Sequence, residues 1–257
     1  MGFWAWGVVE NFRKLRMGTI PSNFWIKSPM IIYGKQVCFH ALEQHGDRVE
    51  TVYIAKKGIL PHALYERYRD RVKFLENRWA QAMSKGGNHQ GILVEMAPFE
   101  EASLAQIKDG DFVLILDGLT DAGNIGAIVR SAYVLGVDGI VASGVRQLNF
   151  AAVARTSAGA LLDMPFAVVP NILDAMHELS QVGFRHYGAS MEGEPVEKVT
   201  FAPRRTLVLG NEAKGLAKKT RQKLDATVSI TMKRPFDSLN VSAAAAIMIH
   251  RMSYAVE

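Results

Sequence analysis

The sequence predicts an α/β protein in two units, a smaller one over residues 30–97 and a larger one over 111–257 built around a parallel sheet. Three observations carry that expectation. From Phe112 onward, short apolar runs alternate with amphipathic helix-like stretches, as strands buried on both faces and covered by helices must. The 257 residues are 49% apolar and 21% charged, which supplies a sizeable core and excludes a disordered chain. A polar segment, 98–110, reads as a linker that divides the first unit from the second.

Taken in order, the first unit reads as a helix at Gly34–His45, a strand at Val49–Ala55 and a charged helix around His62–Arg71. An apolar run at Val72–Leu75 follows, and after a glycine-rich stretch, Ser84 to Gly91, a strand at Ile92–Met96. Charges alternate in sign from Tyr65 to Arg71, the pattern of a solvated helix face. Residues 98–110 read as a linker with a short helix. In the second unit, strands are expected at Phe112–Asp117, Gly139–Ala142, Phe166–Val169, His186–Ser190, Thr206–Leu209 and Thr227–Met232. Helices are expected at Ile125–Leu135, Ile172–Val182, Leu216–Leu224 and Leu239–Tyr254. Residues 1–29 mix Trp4, Trp6, Phe12, Phe24 and Trp25 with Arg13, Lys14 and Arg16, without a long apolar centre or a small-residue cleavage site. They read as an appendage and not as a signal peptide, with Met17 and Met30 as alternative starts.

A net charge of +5 suits a polyanionic partner, because neutralising phosphates supplies affinity independent of sequence. The single cysteine, Cys38, excludes an internal disulfide and a thiolate cluster, which fits a reducing cytoplasm. No apolar run reaches the roughly 18 residues a membrane span needs. The seven histidines lack ligand-like spacing with Asp, Glu or Cys, so no metal is expected. Neither a P-loop nor a G-x-G-x-x-G turn is present, which argues against an NTPase or a dinucleotide enzyme.

Open parallel sheets bind ligands beyond the carboxyl ends of their strands, and three turns fall there. The first runs Leu116 to Arg130. Ile125, Ile128, Val129, Ala132 and Tyr133 define a buried helical stripe that leaves Arg130 outside, and Asn124 and Gly126 lie in a first turn whose backbone N–H groups attract anions. Taken alone it is equally an ordinary helix start with a surface arginine. The second runs Thr206 to Leu216. Gly210 lets a ligand approach the backbone, and Glu212, just before a helix, is either functional or a complement to the helix dipole. The third runs Val228 to Ser242, where Ser238, Asn240 or Ser242 serves at least as a helix cap. The alanines at 243–246 permit close helix packing, internally or against a second subunit.

In this order and at these spacings, N-x-G-x-x-x-R, L-G-N-E-x-x-G-L and S-L-N-V-S resemble the three signature motifs of the SpoU/TrmH family over residues 112–254. Ile32-Tyr33-Gly34-Lys35 and His89-Gln90-Gly91 resemble the L30e-like substrate-binding domain of the family's RlmB-type branch. The resemblance implies an α/β-knot methyltransferase domain, homodimerisation, S-adenosylmethionine as cofactor and transfer to a ribose 2′-hydroxyl of RNA. It implies cofactor contacts from Gly210, Ile230 and Leu239, together with Leu209, Met232 and Ser190. It implies catalytic or RNA-positioning roles for Asn124, Arg130, Glu212, Ser238 and Asn240. The chain departs from the pattern at Ala122-Gly123, where a proline commonly follows the aspartate.

The family pattern makes Arg130 the group that activates the hydroxyl. A guanidinium holds its proton tenaciously, so placing the hydroxyl and steadying its developing charge is the easier role. Arg155, Lys214, Lys218 and Lys219 are candidate phosphate contacts, each also readable as solvated basic surface. The separate first unit favours a guanosine of large-subunit ribosomal RNA over transfer RNA. A non-catalytic RNA-binding protein of the same fold is the remaining alternative.

Overall fold

A computed structural model describes residues 29–145, 147–211, 215–234 and 236–256. The predicted appendage lies outside the described residues except for Pro29. The smaller sheet has the order β1 (Met30–Tyr33), β4 (Ile92–Met96), β2 (Val49–Ile54), β3 (Val72–Phe74). β4 runs antiparallel to β1 and β2, and β2 runs parallel to β3. Helix α1 (Lys35–Gln44) buries Val37, Cys38, Ala41 and Leu42 against it. Helix α2 (His62–Tyr68) is pinned by the Tyr68 hydroxyl, which donates to the Leu42 carbonyl at 2.7 Å. A further helix, α3 (Asn77–Met83), was not expected from the sequence.

Residues 98–110 hold helix α4 (Leu104–Ile107), started by a Ser103–Gln106 capping box. Ile107 is buried, so this connection is packed against the second unit.

The larger sheet is parallel throughout: β10 (Ala226–Ser229), β8 (Arg185–Pro195), β9 (Arg205–Leu209), β5 (Phe112–Asp117), β6 (Gly139–Ser143), β7 (Phe166–Val169). Every residue of FVLIL in β5 and RTLVL in β9 is buried, as central strands covered on both faces require. The covering helices are α5 (Ala122–Val134), α6 (Phe150–Thr156), α7 (Ile172–Gln181), α8 (Lys218–Arg221) and α9 (Val241–Tyr254). The parallel α/β expectation holds, with local corrections. The expected strand 227–232 ends at Ser229, leaving Ile230 and Met232 in a loop. The expected helix 216–224 contracts to α8, and α6 was missed altogether. Tyr133, expected on the buried stripe of α5, is 46% exposed, and Gly126 takes its place inside.

The chain runs outward from β5 through β6 to β7, then returns to the other side of β5 with β8 and β9. Strand order therefore reverses at β5/β9, which is where such a sheet opens a crevice. Among the described residues, no helix is long and apolar enough to cross a membrane.

Candidate active site

Beyond the carboxyl ends of β9 and β10, and beside the middle of β8, lies a cavity of about 420 Å³, within the range of small-molecule sites. All six residues assigned to the cofactor from sequence line it: Ser190, Leu209, Gly210, Ile230, Met232 and Leu239. Ser238 and Asn240 line it as well. The site is built by three departures from regular structure. β8 pairs with β9 only as far as Gly188, and its pairing with β10 jumps from Gly188 to Glu194. Ala189, Ser190 and Met191 therefore bow out of the ladder to form one wall, so Ser190 lies within a long strand and not at its end. Gly193 allows the return, since a β-carbon there would sit 2.6 Å from the Val228 backbone.

The loop after β9 forms the second wall. A β-carbon on Gly210 would lie 2.4 Å from the Gly215 carbonyl carbon, and Gly215 N–H donates to the Asn211 carbonyl at 2.7 Å. This corrects the expected reason for the glycine: the space beside its Cα is taken by the loop folding back on itself. The Asn211 amide donates to the Gly118 carbonyl at 3.0 Å, tying this loop to the turn after β5. Gly118 needs its glycine for φ = +73°.

The third wall is the approach to α9 and its first turns. Val241, Ala244 and Met248 recur at helical spacing on the cavity side, a stripe that sequence reasoning missed because the alanine run read as packing alone. Asn240 caps the helix. Its Oδ1 accepts from the Ser242 N–H at 2.9 Å, the Ala243 N–H at 3.4 Å and the Ser242 hydroxyl at 2.6 Å. Its Nδ2 donates to Asn124 Oδ1 at 3.0 Å, so residues 116 positions apart meet at the mouth of the cavity.

Asn124 belongs to the first turn of α5, whose cap is Asp121. Asp121 Oδ1 accepts from the Asn124 N–H at 2.7 Å, which occupies the donor expected to attract an anion and places a carboxylate beside it. The cap therefore takes up one first-turn donor and sets a negative charge at the helix start. The D-x-x-N spacing is an N-cap signal that the sequence carried unread. Gly126 has a packing role: a β-carbon would fall 1.9 Å from Thr156 Oγ1, which itself donates to the Ala122 carbonyl at 2.7 Å. Arg130 is exposed on α5 and does not line the cavity. Glu212 and Lys214 lie outside the described residues. Lys218 and Lys219 are exposed on α8, and Arg155 stands over the Tyr33 ring at 5.2 Å, joining the two units. His40, His45 and Asp163 converge between the units, a grouping that spacing along the chain does not reveal.

The cavity's chemistry suits an adenosyl sulfonium. Leu209, Ile230, Leu239 and Met248 offer apolar walls for a base and a thioether-like centre, and the loop backbones offer polar groups for a nucleoside.

Comparison with known proteins agrees with this geometry. Residues 111–250 match the SpoU rRNA Methylase family, and residues 31–102 match the domain described as RNA 2′-O ribose methyltransferase substrate binding. The chain is 32% identical over 233 residues to the 23S rRNA (guanosine-2′-O-)-methyltransferase RlmB of Escherichia coli, covering 85% of this chain and 96% of that one. It is 35% identical over 176 residues to an uncharacterized tRNA/rRNA methyltransferase of Mycolicibacterium vanbaalenii, spanning 65% of this chain and 56% of that protein. The crystal structure of the SpoU methyltransferase AviRb from Streptomyces viridochromogenes, in complex with AdoMet, superposes with a TM-score of 0.72 at 26% identity over 88% of this chain and 89% of that one. With both units matched and a relative aligned along nearly its whole length, the chain belongs to the SpoU rRNA methylase family.

Proposed function

We propose that this chain methylates a ribose 2′-hydroxyl of RNA from S-adenosylmethionine, with a guanosine of large-subunit ribosomal RNA as its target. The observation that carries the reading is the Asn240–Asn124 hydrogen bond at the mouth of a cavity lined by the residues assigned to the cofactor. Ser190, Leu209, Gly210, Ile230, Met232 and Leu239 hold the cofactor, which supplies an electrophilic methyl group. Asn124, Asn240 and Ser238 border the entry and position the ribose, with Glu212 assigned beside them from the motif. Arg130 places the hydroxyl and steadies the charge that grows on its oxygen as the proton leaves. The substrate class follows the E. coli relative, which aligns along nearly its whole length, and the presence of a unit over residues 30–97 with its connection at 98–110.

The finer features belong to the same proposal. The chain after β10 returns past the cavity as α9, and we assign this path to the trefoil knot of the family. Tyr133 and Val134 on α5 and Ile247 and Tyr254 on α9 are exposed on helices that pack together, and this apolar face supports a homodimer. A cytoplasmic setting fits a buried, free Cys38 whose thiol is pushed well above its ordinary range by burial. The test is methyl transfer from labelled cofactor to fractionated ribosomal and transfer RNA. Label in large-subunit RNA, abolished by Arg130→Ala with the fold retained, is expected. Near-normal transfer by Arg130→Ala at saturating RNA and cofactor would remove that residue's role, and label in transfer RNA alone would move the substrate.

A further inference from the structure

Away from the cavity, the two units meet at a cluster that the methyl-transfer reading does not use. His40 on α1 and His45, the residue that ends α1, both direct Nε2 at the carboxylate of Asp163. The distances are 2.6 Å from His40 to Oδ2 and 3.0 Å from His45 to Oδ1. One ligand-type atom from each of the three residues lies within 4.8 Å of the others. Asp163 sits 118 residues beyond His45, so no local spacing could have shown the group.

The second unit is shaped to receive it. Gly159 adopts φ = +102° directly before the 3-10 turn Ala160–Leu162 that ends at Asp163. A β-carbon on Gly159 would stand 2.7 Å from the His40 ring, so the absence of a side chain lets the imidazole lie on this loop. The side chains are 16–28% exposed, open enough for an ion and a water to enter.

We propose that His40, His45 and Asp163 form a zinc-class binding site that clamps the N-terminal unit to the catalytic unit. Two imidazole nitrogens and a carboxylate oxygen are the borderline donors Zn2+ prefers, and three protein ligands with one water complete a tetrahedron. Ligand atoms about 2.0–2.1 Å from a tetrahedral ion stand about 3.3 Å apart, so the two His–Asp contacts, at 2.6 and 3.0 Å, lengthen by under an ångström while the wider separations, all within 4.8 Å, draw in. The ion takes the place of the two bridging protons, and each neutral imidazole moves its proton from Nε2 to Nδ1 through solvent. Each Nε2 lone pair then faces the metal. Because the ligands come from both units, bound metal resists their separation.

The test uses the full chain, tag-free and stripped with a chelator, titrated with Co2+ as a spectroscopic probe and then with Zn2+. One Co2+ per chain with the absorption of a tetrahedral site, displaced by Zn2+, is expected, as is a rise in the melting midpoint with Zn2+. His45→Gln and Asp163→Asn should each weaken binding more than the roughly 10- to 100-fold that losing an outer-shell partner costs, and should abolish the midpoint rise. His45→Gln keeps an amide donor for Asp163, and its midpoint without metal reports whether it folds. His177→Gln, on α7, should bind as the wild type does. Wild-type protein without a tetrahedral Co2+ spectrum, or both cluster variants binding as tightly as wild type, would overturn the proposal and leave the cluster as a hydrogen-bonded latch.

Discussion

Asn240 performs two tasks with opposite ends of one amide, and they can be separated. Its oxygen caps the 14-residue helix α9, and its nitrogen donates to Asn124. Truncation to alanine loses a cap worth about 1 kcal/mol and an exposed side-chain hydrogen bond worth about 0.5 kcal/mol. For a chain of this size, ~1.5 kcal/mol lowers the melting midpoint by roughly 3–6 °C. Aspartate is the informative substitution. It retains an acceptor for the Ser242 and Ala243 N–H groups and adds a charge favoured at a helix N-terminus, yet it turns an oxygen toward Asn124 Oδ1 where a donor was. Asn240→Asp should therefore melt close to wild type while losing most methyl transfer, and Asn240→Ala should lose both. Thermal melts paired with transfer at saturating RNA and cofactor make the comparison. If Asn240→Asp transferred methyl groups as the wild type does, the contact with Asn124 would be a bystander of capping and the positioning argument would fail.

Other perturbations follow from the same geometry. Gly210→Ala drives a β-carbon into the Gly215 backbone and should open the loop after β9, lowering cofactor affinity in calorimetry; unchanged affinity would show that the loop yields without cost to the cavity. Gly126→Ala, against Thr156, should destabilise by about 1–3 kcal/mol in urea unfolding by separating α5 from α6. His186 is buried between Ser180, Thr206 and the Met176 carbonyl, and burial pushes its pKa below the ordinary value despite Asp225 nearby. The unfolded chain then binds more protons just below about pH 6.5, so stability is full above that value and falls as pH drops toward the lowered folded pKa. A melting midpoint independent of pH between about 7 and 5 would contradict this, and His186→Gln should flatten the acid limb. Ile247→Asp on the exposed face of α9 should shift a dimer toward monomer in sedimentation.

β5, β7 and β9 were legible because each is a short apolar run, and they fall within a residue of their expected bounds. The elements that escaped are those stabilised from outside. Helix α6 spans seven residues, too few to hold itself, and depends on Thr156 reaching α5 and Arg155 reaching Tyr33. Ile230 and Met232 look like strand residues because they are apolar, yet their side chains face a cavity. The loop after β9 and the approach to α9 were readable through motif order, whereas the wall from β8 and the stripe of Val241, Ala244 and Met248 were not. The reasons for the site's glycines were not legible either, since they depend on which backbone returns to meet them. The His40–His45–Asp163 group was invisible for the same reason, being assembled across two units.

The bow in β8 between Gly188 and Glu194 carries an implication for how this site tolerates sequence change. There Ala189 to Met191 lack register partners on β9 and β10 and line the cavity, so a guest would meet their main chain. Recognition written in peptide groups is indifferent to most side chains. A mutational scan would score that wall as permissive, even though a single proline, which removes an N–H and fixes φ, would disable it.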